Sequence, residues 1–125
     1  MSDKKSILII EDDRQLRQLL KIFLSNEPFE VAAVENGSAG IAYFRENGAD
    51  MVITDIIMPE KDGIETLREI RKVNKNIKVI AISGGGRIGP EGYLKTAQLL
   101  GANATLQKPF KRAEFLDTIN RIFNS

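Results

Sequence analysis

Apolar positions along this chain fall into two alternating rhythms. Ile7-Leu8-Ile9-Ile10, Met51-Val52-Ile53-Thr54 and Ile77-Lys78-Val79-Ile80-Ala81-Ile82 are nearly continuous apolar runs, the pattern of strands covered on both faces. Phe29-Glu30-Val31-Ala32-Ala33-Val34 is more mixed, as suits a strand nearer an edge, and Ala104-Thr105-Leu106-Gln107 is a fifth short run. These runs predict strands over roughly 6–10, 29–34, 50–54, 77–82 and 103–107. The segments between them predict helices over roughly 13–25, 37–47, 63–73, 90–100 and 111–123. Leu16, Leu19, Leu20, Phe23 and Leu24 recur at helical spacing in the first, and Phe115, Leu116, Ile119, Ile122 and Phe123 in the last. Pro28, Gly37, Gly48, Gly63 and Gly101 fall at the junctions, where chain punctuation belongs. Repeated β-α units predict an α/β fold with a parallel sheet and right-handed crossovers.

At 125 residues the chain is expected to form one domain, 1–125, with no internal repeat, linker or low-complexity segment. A net charge of +1 gives no reason to expect nucleic acid or an anionic membrane as a partner. Cysteine and histidine are both absent. That excludes disulfides, thiolate metal sites, the commonest general base and phosphohistidine chemistry on this chain. The polar start, Met1-Ser2-Asp3-Lys4-Lys5-Ser6, is unlike a signal peptide, and no apolar run approaches a membrane span. A cytoplasmic location is expected.

Four features stand where four of the runs end. Asp12-Asp13, with Glu11 just before, follows the first strand, Asp55 the third, Ser83 the fourth and Lys108-Pro109 the fifth. In a parallel sheet all four share the carboxyl edge, where open α/β sheets place their chemistry. Gathering several carboxylates is electrostatically unfavourable unless a cation offsets it. Mg²⁺ suits such a set, because it takes oxygen ligands and keeps several waters. Either Asp12 or Asp13 alone would serve equally well as a cap of the first helix, where acids favour the positive dipole end. With Asp55, Ser83 and Lys108 the metal reading becomes the better one, and one of the pair can do both jobs.

Asp55 is the candidate nucleophile. A carboxylate forms an acyl phosphate only where a metal and a lysine neutralise the charge that builds up. Two apolar residues, Ile56 and Ile57, follow it directly, which is odd for an exposed turn. Ser83 offers a hydroxyl to a phosphoryl oxygen, or a simple turn or cap. Lys108 offers a point charge on a flexible stem, able to hold a phosphate or to pair with Asp55 without one. Gly84-Gly85-Gly86-Arg87-Ile88-Gly89 matches a dinucleotide fingerprint only superficially. It follows the fourth strand rather than the first, and no acid stands about 20 residues further on. A mobile loop beside the phosphate is the better expectation.

In this arrangement the chain resembles a receiver domain of two-component response regulators, the chemotaxis-regulator-like superfamily. Asp12-Asp13, Asp55, Met58-Pro59, Asp62-Gly63, Ser83, Gly101-Ala102 and Lys108-Pro109-Phe110 fall in that family's order across essentially the whole chain. The resemblance implies a three-layer α/β/α sandwich of the flavodoxin type, with a five-stranded parallel sheet of order 2-1-3-4-5. It implies that Asp55 accepts a phosphoryl group from a sensor histidine kinase, a histidine phosphotransfer protein or a small phosphodonor. It implies that Asp13 binds Mg²⁺ (or Mn²⁺) directly, Asp12 largely through water, and Asp55 and the Ile57 carbonyl as further ligands. Ser83 and Lys108 then bind the phosphoryl oxygens, and the Lys108–Pro109 bond is expected to be cis. Such a domain catalyses only its own phosphorylation and dephosphorylation and turns over no independent substrate.

Three departures from the family pattern stand out. Thr105 occupies the position where the family often has a switch aromatic. The stretch from Ser83 to Gly101 is a few residues longer than usual, so this loop is expected to carry much of the rearrangement. Ile57 and Gly85 flank the approach of the hydrolytic water, and neither can hold it, so slow self-dephosphorylation is expected. Output is expected through a downstream protein target or a phosphorylation-dependent homodimer, with the fourth helix, fifth strand and fifth helix as the readout surface and Tyr93, Lys95, Lys111, Arg112 and Arg121 as candidates there. Competing readings are a phosphorylation-independent adaptor and a phosphatase or phosphotransferase with an aspartyl nucleophile. The intact acid, hydroxyl and lysine set argues against the first. Ile57, where a dehalogenase-type enzyme needs a second Asp, argues against the other. The metal reading also predicts that Asp13→Ala stabilises the metal-free protein, and the cap reading predicts the reverse.

Overall fold

The computed structural model describes residues 4–55, 63–83 and 101–125. Their elements run β1 (Lys5–Ile10), α1 (Arg14–Leu24), β2 (Phe29–Val34), α2 (Gly37–Asn47), β3 (Met51–Asp55), α3 (Gly63–Val73), β4 (Lys78–Ser83), β5 (Ala104–Gln107) and α4 (Arg112–Phe123). The five strands form one sheet of order β2-β1-β3-β4-β5, parallel throughout. The expected helix over 90–100 lies outside the described residues, as do Ile57, Met58-Pro59, Asp62, the glycine-rich loop, Tyr93 and Lys95.

Continuous apolar strands follow from helices on both faces. Ile7 and Ile9 of β1, Met51 and Ile53 of β3, and Ile80 and Ile82 of β4 join Leu20 and Leu24 of α1 and Phe115, Ile119 and Ile122 of α4. The alternate residues Leu8, Ile10, Val52 and Val79 join Ile41 and Phe44 of α2 and Leu67 and Ile70 of α3 on the opposite face. Each fully buried side chain of this kind is worth about 2 kcal/mol of transfer free energy. β2, the mixed run, is the edge strand, and five of its six residues are only half-buried.

With both faces of β1 buried, hydrophobic alternation cannot set its register. The polar residues at its two ends do. Lys5 pairs with Phe29 and Ile10 with Val34, so any slip would drag Lys5 inward or push Asp12 into the ladder. The pairing continues one residue past the strand, where the Glu11 N–H donates to the Val34 carbonyl at 3.0 Å. Gly40 lets α2 lie close on β1, since a Cβ there would stand 2.8 Å from Ile10 Cγ1.

Candidate functional site

Parallel topology brings the ends of β1, β3, β4 and β5 to one edge of the sheet. The registers Ile10↔Thr54, Asp55↔Ile82 and Ser83↔Gln107 put Glu11 level with Asp55, Ser83 one residue further along and Lys108 one further still, all at this edge. Asp55 is the last residue of β3 and is buried. Ser83 ends β4, but its side chain lies outside the described residues. Lys108 follows β5 directly, and its peptide bond to Pro109 is cis. Phe110 then turns back into the core and stacks on Phe115, with ring centroids 5.7 Å apart, which ties the lysine-bearing loop to α4.

The Lys108 ammonium meets Asp55 Oδ2 at 2.7 Å and stands 3.4 Å from Glu11 Oε1. Burial opposes the charge on Lys108, but its hydrogen bond to Asp55 and the charges of Asp55 and Glu11 outweigh it and raise its pKa above the usual lysine value. Glu11 is fully buried. Burial, aided by the neighbouring Asp12 and Asp55, pushes its carboxyl from 4.5 to about 7, against the lowering effect of the Asp13 N–H and Lys108.

Carboxylate oxygens of Glu11, Asp12 and Asp55 all lie within 4.8 Å of one another. Among the described residues Glu11 Oε1 accepts no hydrogen bond, so it faces this cluster with an ion pair alone. Among the described residues three carboxyl groups share one lysine, and one of their buried oxygens accepts no hydrogen bond. A hard divalent cation with oxygen ligands and retained waters fits that donor set.

Asp13 lies differently from its expected place as the direct metal ligand. It is the N-cap of α1, and its Oδ1 accepts from the N–H groups of Gln15 at 2.9 Å and Leu16 at 3.3 Å. That carboxylate already serves the helix end, where it satisfies two orphan donors. Glu11 takes the third place in the cluster, and its Oε2 accepts from the Asp13 N–H at 3.1 Å. The sign of this was in the chain: Glu11 and Asp12 are the first two acids after the apolar run, and Asp13 stands three residues before Leu16, the spacing of a cap. Ile57 lies outside the described residues.

Thr105 is half-buried on β5 and borders a groove of about 570 Å³ formed with Glu114, Asp117, Thr118 and Arg121 of α4. Lys111 lines the same groove. No helix among the described residues is long and apolar enough to cross a membrane.

A family model described as the response regulator receiver domain matches residues 7–120. The chemotaxis protein CheY of Bacillus subtilis is 34% identical over 119 residues, which span 94% of this chain and 97% of that protein. CheY of Halobacterium salinarum is 33% identical over 122 residues, 97% of this chain and 98% of that protein. The transcriptional regulatory protein CpxR of Klebsiella pneumoniae is 33% identical over 93% of this chain but only 48% of its own length. Among solved structures, a response regulator receiver domain protein from Clostridium thermocellum superposes with a TM-score of 0.85 at 32% identity, over 96% of this chain and 94% of that one. A response regulator from Chloroflexus aurantiacus described as putative has a TM-score of 0.89 at 23% identity, covering 98% and 100%, and speaks for the fold. The acidic pocket at the carboxyl edge, the flavodoxin-like sheet order and the match over residues 7–120 agree, and this chain belongs to the response regulator receiver family.

Proposed function

We propose that the protein is a Mg²⁺-dependent phosphoacceptor switch of a histidine-to-aspartate phosphorelay. The observation that carries this reading is the Lys108 ammonium 2.7 Å from Asp55 inside a cluster of three carboxylates. Asp55 is the acceptor. One of its carboxylate oxygens attacks phosphorus, the bond from phosphorus to the donor's imidazole nitrogen breaks, and its electron pair stays on the imidazole, which takes a proton from water. The donor is a phosphohistidine on a sensor histidine kinase or a histidine phosphotransfer protein, with small acyl phosphates as substitutes. Mg²⁺, when bound, neutralises charge on the phosphoryl oxygens.

Asp12 and Asp55, with Glu11 behind them, are the residues to hold the metal, and the carbonyl of Ile57 is the further ligand this reading calls for. Mn²⁺, with the same preference for oxygen ligands, is its natural substitute. Asp13 holds the helix end instead. Lys108 exchanges its contact with Asp55 for the transferred phosphoryl group, and Ser83 donates its hydroxyl to another phosphoryl oxygen. The phosphoryl group adds about two negative charges. Moving a switch from 1:99 to 99:1 takes roughly 5.5 kcal/mol, within reach of a few charge-assisted hydrogen bonds. The readout is a protein contact on the β5–α4 side, where Thr105 leaves the groove of about 570 Å³.

The test is incorporation of phosphate from acetyl phosphate with and without Mg²⁺, comparing wild type with Asp55→Asn. Metal-dependent labelling that disappears in the variant is the expected result. No labelling together with no metal binding would sink the proposal and favour an adaptor that keeps only the fold.

A further inference from the structure

Arg17 stands in the first turn of α1, one turn after Arg14, and is half-buried. Its backbone N–H makes an ordinary helical bond to the Asp13 carbonyl at 2.8 Å. Its side chain does something else. It reaches back past the helix start, and Nη1 donates to the Glu11 carbonyl oxygen at 2.9 Å.

That carbonyl belongs to the peptide group joining Glu11 to Asp12. A peptide is planar, so holding its oxygen fixes the plane from which Asp12 departs. The other groups of Glu11 are also engaged. Its N–H donates to the Val34 carbonyl at 3.0 Å, Oε2 accepts from Asp13 N–H, and Oε1 faces Lys108. Asp12 is the exposed member of the carboxylate cluster, and its path is set by the peptide that Arg17 grips.

We infer that Arg17 is a positioning residue, whose guanidinium locks the Glu11–Asp12 peptide so that the Asp12 carboxylate is held beside Asp55 ready for a divalent cation. The inference rests on the metal-dependent reading above. Charge and positioning push in opposite directions here. A guanidinium near the cluster repels an incoming cation, so deleting it would tighten Mg²⁺ binding if charge were its whole effect. If it positions Asp12, deleting it weakens binding.

The test is the Mg²⁺ dissociation constant, by titration calorimetry, for wild type, Arg17→Met and Arg14→Gln, with denaturant unfolding of each in the absence of metal. Arg14→Gln removes the same charge from the same helical turn, at an exposed position, and is expected to leave Mg²⁺ affinity unchanged or raise it. Arg17→Met is expected to weaken it by about tenfold, the scale seen when a support of a metal ligand is removed. Mg²⁺ affinity in Arg17→Met equal to or tighter than wild type overturns the inference, whatever happens to its stability. If Arg17→Met does not fold, Arg17→Lys carries the test. It keeps the charge but loses the reach and fork of the guanidinium, and unaltered affinity there overturns the inference equally. A wild type that binds no Mg²⁺ would instead defeat the functional reading, and this inference with it.

Discussion

The ammonium of Lys108 lies 2.7 Å from the carboxylate of Asp55, although the two residues are 53 positions apart and reach the site from different strands. Among the described residues this lysine is the cation inside a carboxylate cluster, and on the proposed function its place there is also the place a phosphoryl group needs.

Lys108→Met therefore has two effects of opposite sign. The metal-free protein loses stability, because Asp55 keeps its buried carboxylate without the cation. The lysine side chain is 27% exposed, so the loss is set between that of exposed and buried pairs, about 2 kcal/mol. The raised lysine pKa means this contribution is complete at neutral pH and fades only as pH rises beyond the ordinary lysine value. Mg²⁺ meanwhile binds more tightly, having one competing charge fewer. Urea unfolding and calorimetric titration check both signs, and a stabilised variant would contradict the role given to the pair.

Glu11 makes the metal-free protein pH-sensitive. Its carboxyl titrates at about 7 in the folded chain against 4.5 when unfolded. Between those values the folded state holds the extra proton, so stability falls as pH rises from 4.5 to 7 and stays reduced above. The full penalty is of the order of 3 kcal/mol. Glu11→Gln removes it. Urea midpoints of wild type and variant, measured without divalent metal between pH 5 and 8, are expected to diverge progressively, with the variant the more stable at pH 8. Parallel curves would show that Glu11 is not the group titrating.

Asp12 and Asp13 separate by role. Asp13→Ala deletes the cap of α1, which costs about 1 kcal/mol with or without metal, and leaves Mg²⁺ affinity nearly unchanged. This is the outcome the cap geometry requires, opposite to the stabilisation expected if Asp13 were the direct ligand. Asp12→Ala is expected to leave the metal-free protein as stable or slightly more so and to lose most Mg²⁺ binding. The wild type should gain about 2.7 kcal/mol at a hundredfold excess of Mg²⁺ over its Kd, and Asp12→Ala almost none. Thermal unfolding with and without Mg²⁺ distinguishes the two.

Phe110 anchors the loop that carries Lys108, through its stacking on Phe115, and is itself half-buried. Phe110→Ala is expected to cost about 2 kcal/mol, below the range for a fully buried aromatic. It should also slow phosphate incorporation from acetyl phosphate, because Lys108 is no longer held at Asp55. Phe110→Leu, which keeps the apolar contact, should recover most of both losses. Lost stability with an unaltered rate of labelling would confine Phe110 to the core.

The architecture was legible in the sequence because it depends on periodicity. Strands buried on both faces read as unbroken apolar runs, helices repeat their apolar residues every three or four positions, and a parallel sheet must bring all strand ends to one edge. That was enough to gather Asp55, Ser83 and Lys108 at one edge of the sheet. The division of labour among Glu11, Asp12 and Asp13 was only hinted at, by the cap spacing from Asp13 to Leu16. It depends on where the β1 ladder stops and where α1 starts, and an offset of one residue exchanges a buried site acid for a helix cap. Tertiary structure decides it: the Glu11 N–H pairs with the Val34 carbonyl, Asp13 turns to the Gln15 and Leu16 N–H groups, and Asp12 is left facing Asp55. The reach of Arg17 to the Glu11 carbonyl and the titration of Glu11 near neutrality belong to the same class. Both arise from burial and distances that exist only once β1, α1, β3 and the Lys108 loop have packed together.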